Sequence, residues 1–164
     1  MKRKSPNSAS GFERGDSTLI SALGDQLREG GLTPTPPLHF SVCNKENAMT
    51  LNRQWHSRLP NLSNYRTIPH TFVGMYKNEP ACVAFWSKPC ARLLPQDTWL
   101  ELRRLAVGPE APRFAATQFI GWMVRWIRVN LSHIQVLISY QDTAVHTGTI
   151  YKAAGWVCEG KTRH

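Results

Sequence analysis

At 164 residues, with 41% hydrophobic and 10% aromatic side chains, the chain has material for one packed domain and a tail. Lysine and arginine number 20 against 11 acidic residues, and the net charge of +9 favours an anionic partner: nucleic acid, a membrane surface or a phosphate-rich cofactor. No run approaches the ~20 apolar residues of a membrane helix, and the four cysteines show neither a CxxC nor a zinc-module spacing.

The chain begins with a basic, Ser-rich stretch, MKRKSPNSASGFERGDS, which reads as a flexible tail. Its Lys2-Arg3-Lys4 run can meet DNA phosphates or simply be solvated. Residues 17–29 carry Leu19, Ile20, Leu23 and Leu27 on one stripe, the pattern of a short amphipathic helix. Pro34-Thr35-Pro36-Pro37 is a stiff linker, so residues 1–36 are expected to be tail and residues 37–164 the domain. The N-terminus lacks an apolar signal-peptide core, which makes the cytoplasm the expected compartment and the cysteines free, small buried hydrophobes.

Leu38 to Val42 alternates as a strand, and Asn44 can cap a helix running to about Trp55. His56 to Pro69 is a loop. Thr71 to Tyr76, a Lys77-Asn78-Glu79-Pro80 turn and Ala81 to Trp86 make a hairpin. Trp99 to Val107 is a strand, and Arg113 to Asn130 a helix with Phe119, Ile120, Met123, Trp126 and Ile127 on one face. Ile134 to Tyr140 is a β-branched strand. Gln141-Asp142-Thr143 then offers an N-cap to a helix over residues 144–154, which Gly155 ends, and Trp156-Val157-Cys158 starts a last strand. The order β-α-ββ-β-α-β-α-β predicts a mixed β-sheet flanked by helices, class α/β.

Charged residues inside the strand Trp99 to Val107 stand out. Alternation groups Arg104 with Leu100 and Leu102, and Arg103 with Trp99 and Glu101. Arg103 therefore has an acidic neighbour on its own face. Arg104 has none, so it is the arginine expected to meet a ligand. Asp142 serves equally as a helix cap or as a base, and His146 one turn on as a base, a ligand or an exposed histidine. Ser139 and Tyr140 end a strand, where open α/β sheets expose side chains to ligands. Arg53, Arg58, Arg66, Lys77, Lys88 and Arg92 interleave with Trp55, Tyr65, Phe85 and Trp86, a mixture suited to phosphate contact and base stacking. His39, His56, His70 and His146 have no metal-ligand spacing, and no metal is assigned.

The strand–helix–strand–helix order of the C-terminal half resembles the GNAT acyltransferases. The segments WHSRLP (55–60), LELRRLAV (100–107), ISYQDT (138–143) and HTGTIY (146–151) resemble, more narrowly, the bacteriophage Mom DNA-modification proteins, from about Leu38 to the end. The resemblance implies a GNAT-like fold with a cleft between the two strands flanking the central helix. It also implies transfer of a carbamoylmethyl group to N6 of adenine, an anti-restriction modification of phage DNA in the cytoplasm of the bacterial host. On it, Tyr151 is expected as the general acid, with Asp142, Arg104, Ser139 and His146 beside it. Val107, Arg113 and Thr117 would bind acetyl-CoA or another acyl-CoA, and His56, Arg58 and Tyr140 the DNA. One departure is plain: the loop GPEAPRFAAT (108–117) has one Gly, two Pro and a Glu where such enzymes use a Gly-rich pyrophosphate loop. Two other readings stay open, a generic acyl-CoA N-acetyltransferase acting on a small amine or a protein, and a non-catalytic nucleic-acid-binding protein of the same fold.

Overall fold

The structure, a computed structural model, describes residues 37–144 and 146–160. The tail of residues 1–36 and its expected helix lie outside the described residues.

Five strands form one sheet in sequential order: β1 (His39–Val42), β2 (His70–Tyr76), β3 (Glu79–Ser87), β4 (Trp99–Val107) and β5 (Val136–Ser139). The pairs β1–β2, β2–β3 and β3–β4 are antiparallel, and β4–β5 is parallel. Helices α1 (Lys45–Trp55), α2 (Ala115–Asn130) and α3 (Thr149–Ala153) complete the expected mixed α/β layout. Alternate residues of β3 show its two faces. Cys82, Ala84 and Trp86 pack with Phe119, Ile120, Met123 and Ile127 of α2, whereas Val83 and Phe85 pack with Ala48 and Met49 of α1. Burying a large apolar side chain such as Phe72 or Phe119 contributes roughly 1.5–3 kcal/mol each.

Local chemistry accounts for the boundaries. The Asn44 side chain accepts from the Asn47 amide at 3.0 Å and starts α1. Lys77 and Asn78 both take positive φ (52° and 65°), the two-residue turn that matches strand twist. The hairpin is therefore tighter than the expected four-residue turn, and β3 begins at Glu79. Phe114 sits at φ 67°, outside helical space, so α2 starts at Ala115 rather than Arg113.

The last third corrects three expectations. β5 spans Val136–Ser139 only; the amides of Gln135 and Val136 converge on the Thr98 carbonyl, where the ladder begins. The helix expected from residue 144 starts at Thr149, because Asp142 folds its own segment instead: its carboxylate accepts from the Ala144 amide at 2.9 Å. Asp142 is thus a turn residue, not the helix cap. No strand forms after Trp156 among the described residues. Its indole turns back onto Tyr151 and Trp86, with ring centroids 5.6 and 6.2 Å away.

Two side-chain expectations also change. All four cysteines are free, but only Cys82 is buried, Cys43 is half-buried, and Cys90 and Cys158 are exposed. Burial pushes the Cys82 thiol up to about 12. Phe85 and Trp86 are wholly buried core residues and offer no surface for base stacking.

Candidate active site

β4 carries a bulge. Phe85 pairs with Arg104 but Trp86 pairs with Leu102, which leaves Arg103 as the extra residue. The bulge reverses the expected alternation. Leu100 and Leu102 face α2, while Arg104, opposite Phe85 and two residues from Ala106, faces the α1 side. Arg103 still meets Glu101, Nε to Oε1 at 3.3 Å, with side chains only 24% and 6% exposed. Glu101 also accepts from the Cys90 amide at 2.7 Å, so this buried carboxylate is satisfied.

Arg104 is placed differently. Its Nη1 donates to the Arg103 carbonyl at 2.6 Å, and its Nε is buried with no partner. Burial first, and the Arg103 charge second, lower its pKa.

Beyond Leu102 and Ser139 the parallel strands no longer pair. A cavity of about 610 Å³ opens there. It collects residues from segments far apart in sequence: His56 and Arg58 after α1, Arg104 and Val107 on β4, Ser139, Tyr140 and Asp142 at the end of β5, and His146 and Tyr151 around α3. Tyr151, Asp142, Arg104, Ser139, His146, His56, Arg58 and Tyr140 all line this one cleft, whereas of the wider set of cations and aromatics expected to meet DNA only Arg58 and Trp55 do. Among those expected to hold a cofactor, only Val107 does. Arg113 stands outside, its guanidinium 4.7 Å from the Phe114 ring, and Thr117 lies on α2 away from the lining; Ala116 is the α2 residue that reaches the cleft.

The loop bearing His56 is held from below. The buried Asn52 side chain donates to the Pro60 carbonyl at 2.9 Å, and the His56 amide closes α1 on the Asn52 carbonyl. The His56 ring accepts the Leu59 amide at Nδ1, 3.1 Å. Burial lowers its pKa, and the charges of Arg104 and His146 lower it further. Across the cleft mouth, Arg58 donates to Asp142 at 3.1 Å and so ties the two lips together. Trp55 packs against Gly108, where a Cβ would come 3.0 Å from the indole, so Gly108 lets that wall close.

Tyr151 and Ser139 form a hydroxyl pair at 2.9 Å, and Ser139 Oγ also lies 3.3 Å from the Leu102 carbonyl. A serine has one hydrogen to give. When it goes to Leu102, the tyrosine donates to Ser139; when it turns to the tyrosine, the phenolic hydrogen is free to point elsewhere. Burial raises the Tyr151 pKa, against a smaller lowering by Ser139, so the phenol stays protonated at neutral pH. Gly148, at φ 73°, packs under the Gln141 amide, where a Cβ would meet Oε1 at 2.9 Å. Gln141 and Gly148 shape the wall and were missed as individual site residues. Their signal was present only as neighbours inside the SYQDT and HTGTIY blocks.

Among the described residues, no group of three or more His, Cys, Asp and Glu is placed to hold a metal ion. No helix among the described residues is long and apolar enough to cross a membrane.

The profile of the Mom protein family matches residues 37–164. The chain belongs to the Mom family. No curated protein matches it in sequence. Solved structures that share its fold include an aminoglycoside N-acetyltransferase, AAC(6')-Iy, in complex with CoA, with TM-score 0.61 and 16% identity over 81% of this chain and 97% of that one. The same enzyme with a bisubstrate analogue aligns with TM-score 0.61 and 16% identity, over 78% and 96%. A ribosomal-protein-alanine N-acetyltransferase from Brucella melitensis aligns with TM-score 0.56 and 7% identity, over 78% and 98%. At these identities the likeness is one of fold: this Mom-family chain has the GNAT acetyltransferase architecture.

Proposed function

We propose that this Mom-family chain is a DNA-modifying transferase that places a carbamoylmethyl group on N6 of adenine. The observation that carries this reading is the convergence of the WHSRLP, SYQDT and HTGTIY segments on the single cleft between β4 and β5. Their side chains supply what transfer to an exocyclic amine needs. Tyr151, protonated and freed by a turn of Ser139, gives a proton to the departing group. Asp142 offers a carboxylate to the attacking amine. Duplex adenine must leave the stack to reach them, at a cost of a few kcal/mol. A cavity of about 610 Å³ walled by Trp55 and Tyr140 has the size and aromatic surface to receive it. The net charge of +9 favours a nucleic-acid substrate.

An acyl-CoA is the donor suggested by the CoA complex of the acetyltransferase that shares this fold. When bound, it would supply an activated acyl group. The gap between β4 and β5 suits its extended arm, and Val107 and Ala116 line that gap. The phosphate end fits less well: Pro109 and Pro112 have no N–H, and the Ala111 and Ala115 amides already donate to Gly108 and Pro112. Plain acyl transfer would leave an amide on N6, whereas a carbamoylmethyl group is joined to N6 through its CH2 carbon. That product needs the N6–C bond to form at that carbon and a nitrogen source for its amide, neither of which acyl transfer from CoA alone supplies. The same CoA-bound relatives favour a second reading, acetylation of a small amine or a protein.

Nucleoside mass spectrometry of DNA from cells expressing the chain tests both. The expected result is an adenine adduct, absent with Tyr151→Phe. Acetyl-CoA turnover on an amine with unmodified DNA would establish the second reading instead.

A further inference from the structure

Two donors line the cleft without an acceptor among the described residues. His56 uses Nδ1 to accept the Leu59 amide at 3.1 Å. A neutral imidazole so engaged carries its one hydrogen on Nε2. Nε2 makes no hydrogen bond to another described residue and is not among the buried unpartnered atoms, so it is open to the cleft. Arg104 reaches the same cavity from the β4 bulge: its Nε–H is buried and unpartnered, while Nη2, which has no partner among the described residues and is not buried, is the donor open to the cleft. Neither group can act as an acceptor there, so His56 in this state is no general base.

The charges around the pair are equally one-sided. Arg103 is neutralised by Glu101, and Arg58 by Asp142. His146 is near enough to affect His56 and adds no negative charge. Among the described residues, the Arg104 charge has no carboxylate partner in the cleft.

We propose that Arg104 and His56 form an anion subsite on the floor of the cleft, which takes a negatively charged oxygen group of a substrate, a carboxylate or a phosphodiester. This deepens the transferase reading and rests on the cleft being the substrate site. Two N–H donors from different elements, one of them permanently charged, match the paired oxygens of such a group. The subsite is separate from the start of α2, where a CoA diphosphate would lie, because Arg113 and Thr117 do not line the cavity. A substrate bound here would be held by its acidic group while its amine or acyl carbon faces Tyr151 and Asp142.

The test is a titration of the ¹⁵N-labelled full chain followed through the His56 ring and Arg104 Nε signals, with His56→Gln to assign the histidine. The probes are sodium acetate, dimethyl phosphate and, as a neutral control of similar shape, acetamide, all at constant ionic strength. At rest His56 should carry its hydrogen on Nε2. An anion in the subsite should raise the His56 pKa by about one unit and move the Arg104 Nε–H signal, while acetamide moves neither. A response to acetate alone identifies a carboxylate on the donor. A response to dimethyl phosphate alone identifies the nucleic-acid backbone, and a response to both identifies a general anion site. Arg104→Gln should abolish the effect; the wild-type titration stands by itself if that variant is unstable. The proposal is overturned if neither anion moves these signals, if acetamide moves them equally, or if resting His56 carries its hydrogen on Nδ1. No turnover is needed. A failed titration beside an adenine adduct therefore sinks the subsite alone, and a good titration beside unmodified DNA sinks the reaction alone.

Discussion

β4 has two halves with opposite fates. Residues 99–102 lie in register with residues 136–139 of β5, and Leu100 and Leu102 are each 3% exposed against the core beneath α2. From Arg103 onward β5 has departed, the bulge has turned the strand over, and the edge that β5 leaves opens on a cavity. In the first half the buried carboxylate has its partners: Glu101 holds Arg103 and the Cys90 amide. In the second, Arg104 keeps a buried donor unsatisfied. Two adjacent arginines of identical chemistry thus divide between an ion pair and an open cleft: Arg103, at the bulge, meets Glu101, and Arg104, just past it, meets no carboxylate among the described residues.

That division can be broken by treating both arginines alike. Arg103→Met strands the Glu101 carboxylate, whose side chain is 6% exposed. Removing one partner of a buried pair costs about 3 kcal/mol, read as a lower urea midpoint. Arg104→Met removes a desolvated charge that has no acidic partner and should change stability by less than about 1 kcal/mol, while ligand binding in the cleft is lost. Equal destabilisation by both substitutions would mean that the two halves of β4 do not differ as described.

Tyr151→Phe sharpens the contrast from the cleft side. It keeps the ring packed on Trp156 and removes only the hydroxyl that meets Ser139. Stability should fall by about 1 kcal/mol, the net worth of one hydrogen bond. The yield of modified nucleoside should fall about a hundredfold, the scale for losing a general acid. A variant with full activity would remove Tyr151 from the chemistry.

The paired half was legible in the sequence and the open half was not, for a physical reason. Alternation and helical periodicity report burial, so the strand Trp99–Val107, the buried face of α2 and the Glu101–Arg103 pair were readable. The bulge was not, because an inserted residue changes no composition. It reversed the face of Arg104, although Arg104 remained the arginine without an acid. The segment after Ser139 misled for another reason. Asp caps helices and nucleates turns equally well, and only tertiary structure shows that Asp142 pairs with Arg58, 84 residues away. The cleft residues were named one by one because they stand in dense polar motifs, but nothing in the spacing says that His56 and Tyr151 share a cavity.

Asp142→Asn tests the tie across the cleft mouth. The Asn side chain can still accept the Ala144 amide, so the turn should persist. The ion pair to Arg58 is lost, but its side chains are 47% and 60% exposed, and such pairs contribute less than about 1 kcal/mol. Stability should barely move. Activity should fall well beyond that, measured as adduct yield, if the carboxylate engages the amine. An active Asn variant would reduce Asp142 to a turn residue.

The smallest effect compares the two ends of the β4–β5 pair through their histidines. His56 sits at the open end. His70 sits at the other end, its ring centroid 6.1 Å from that of Trp126. Burial is the largest cause of a lowered pKa in both, aided by Arg104 and His146 at His56 and by His133 and Lys45 at His70. Their folded values therefore lie below the ordinary histidine value of about 6.5. Between those values the unfolded chain binds more protons than the folded one, so stability rises with pH through that window. Acidification from above about pH 6.5 should lower the urea midpoint progressively, until the folded values are passed. His56→Gln and His70→Gln should each flatten part of that slope. Acetate in the buffer should flatten only the part belonging to His56, because an anion beside Arg104 relieves the positive field there and leaves His70 untouched. An unaltered slope in both variants would mean that neither end of the pair carries the acid sensitivity of this fold.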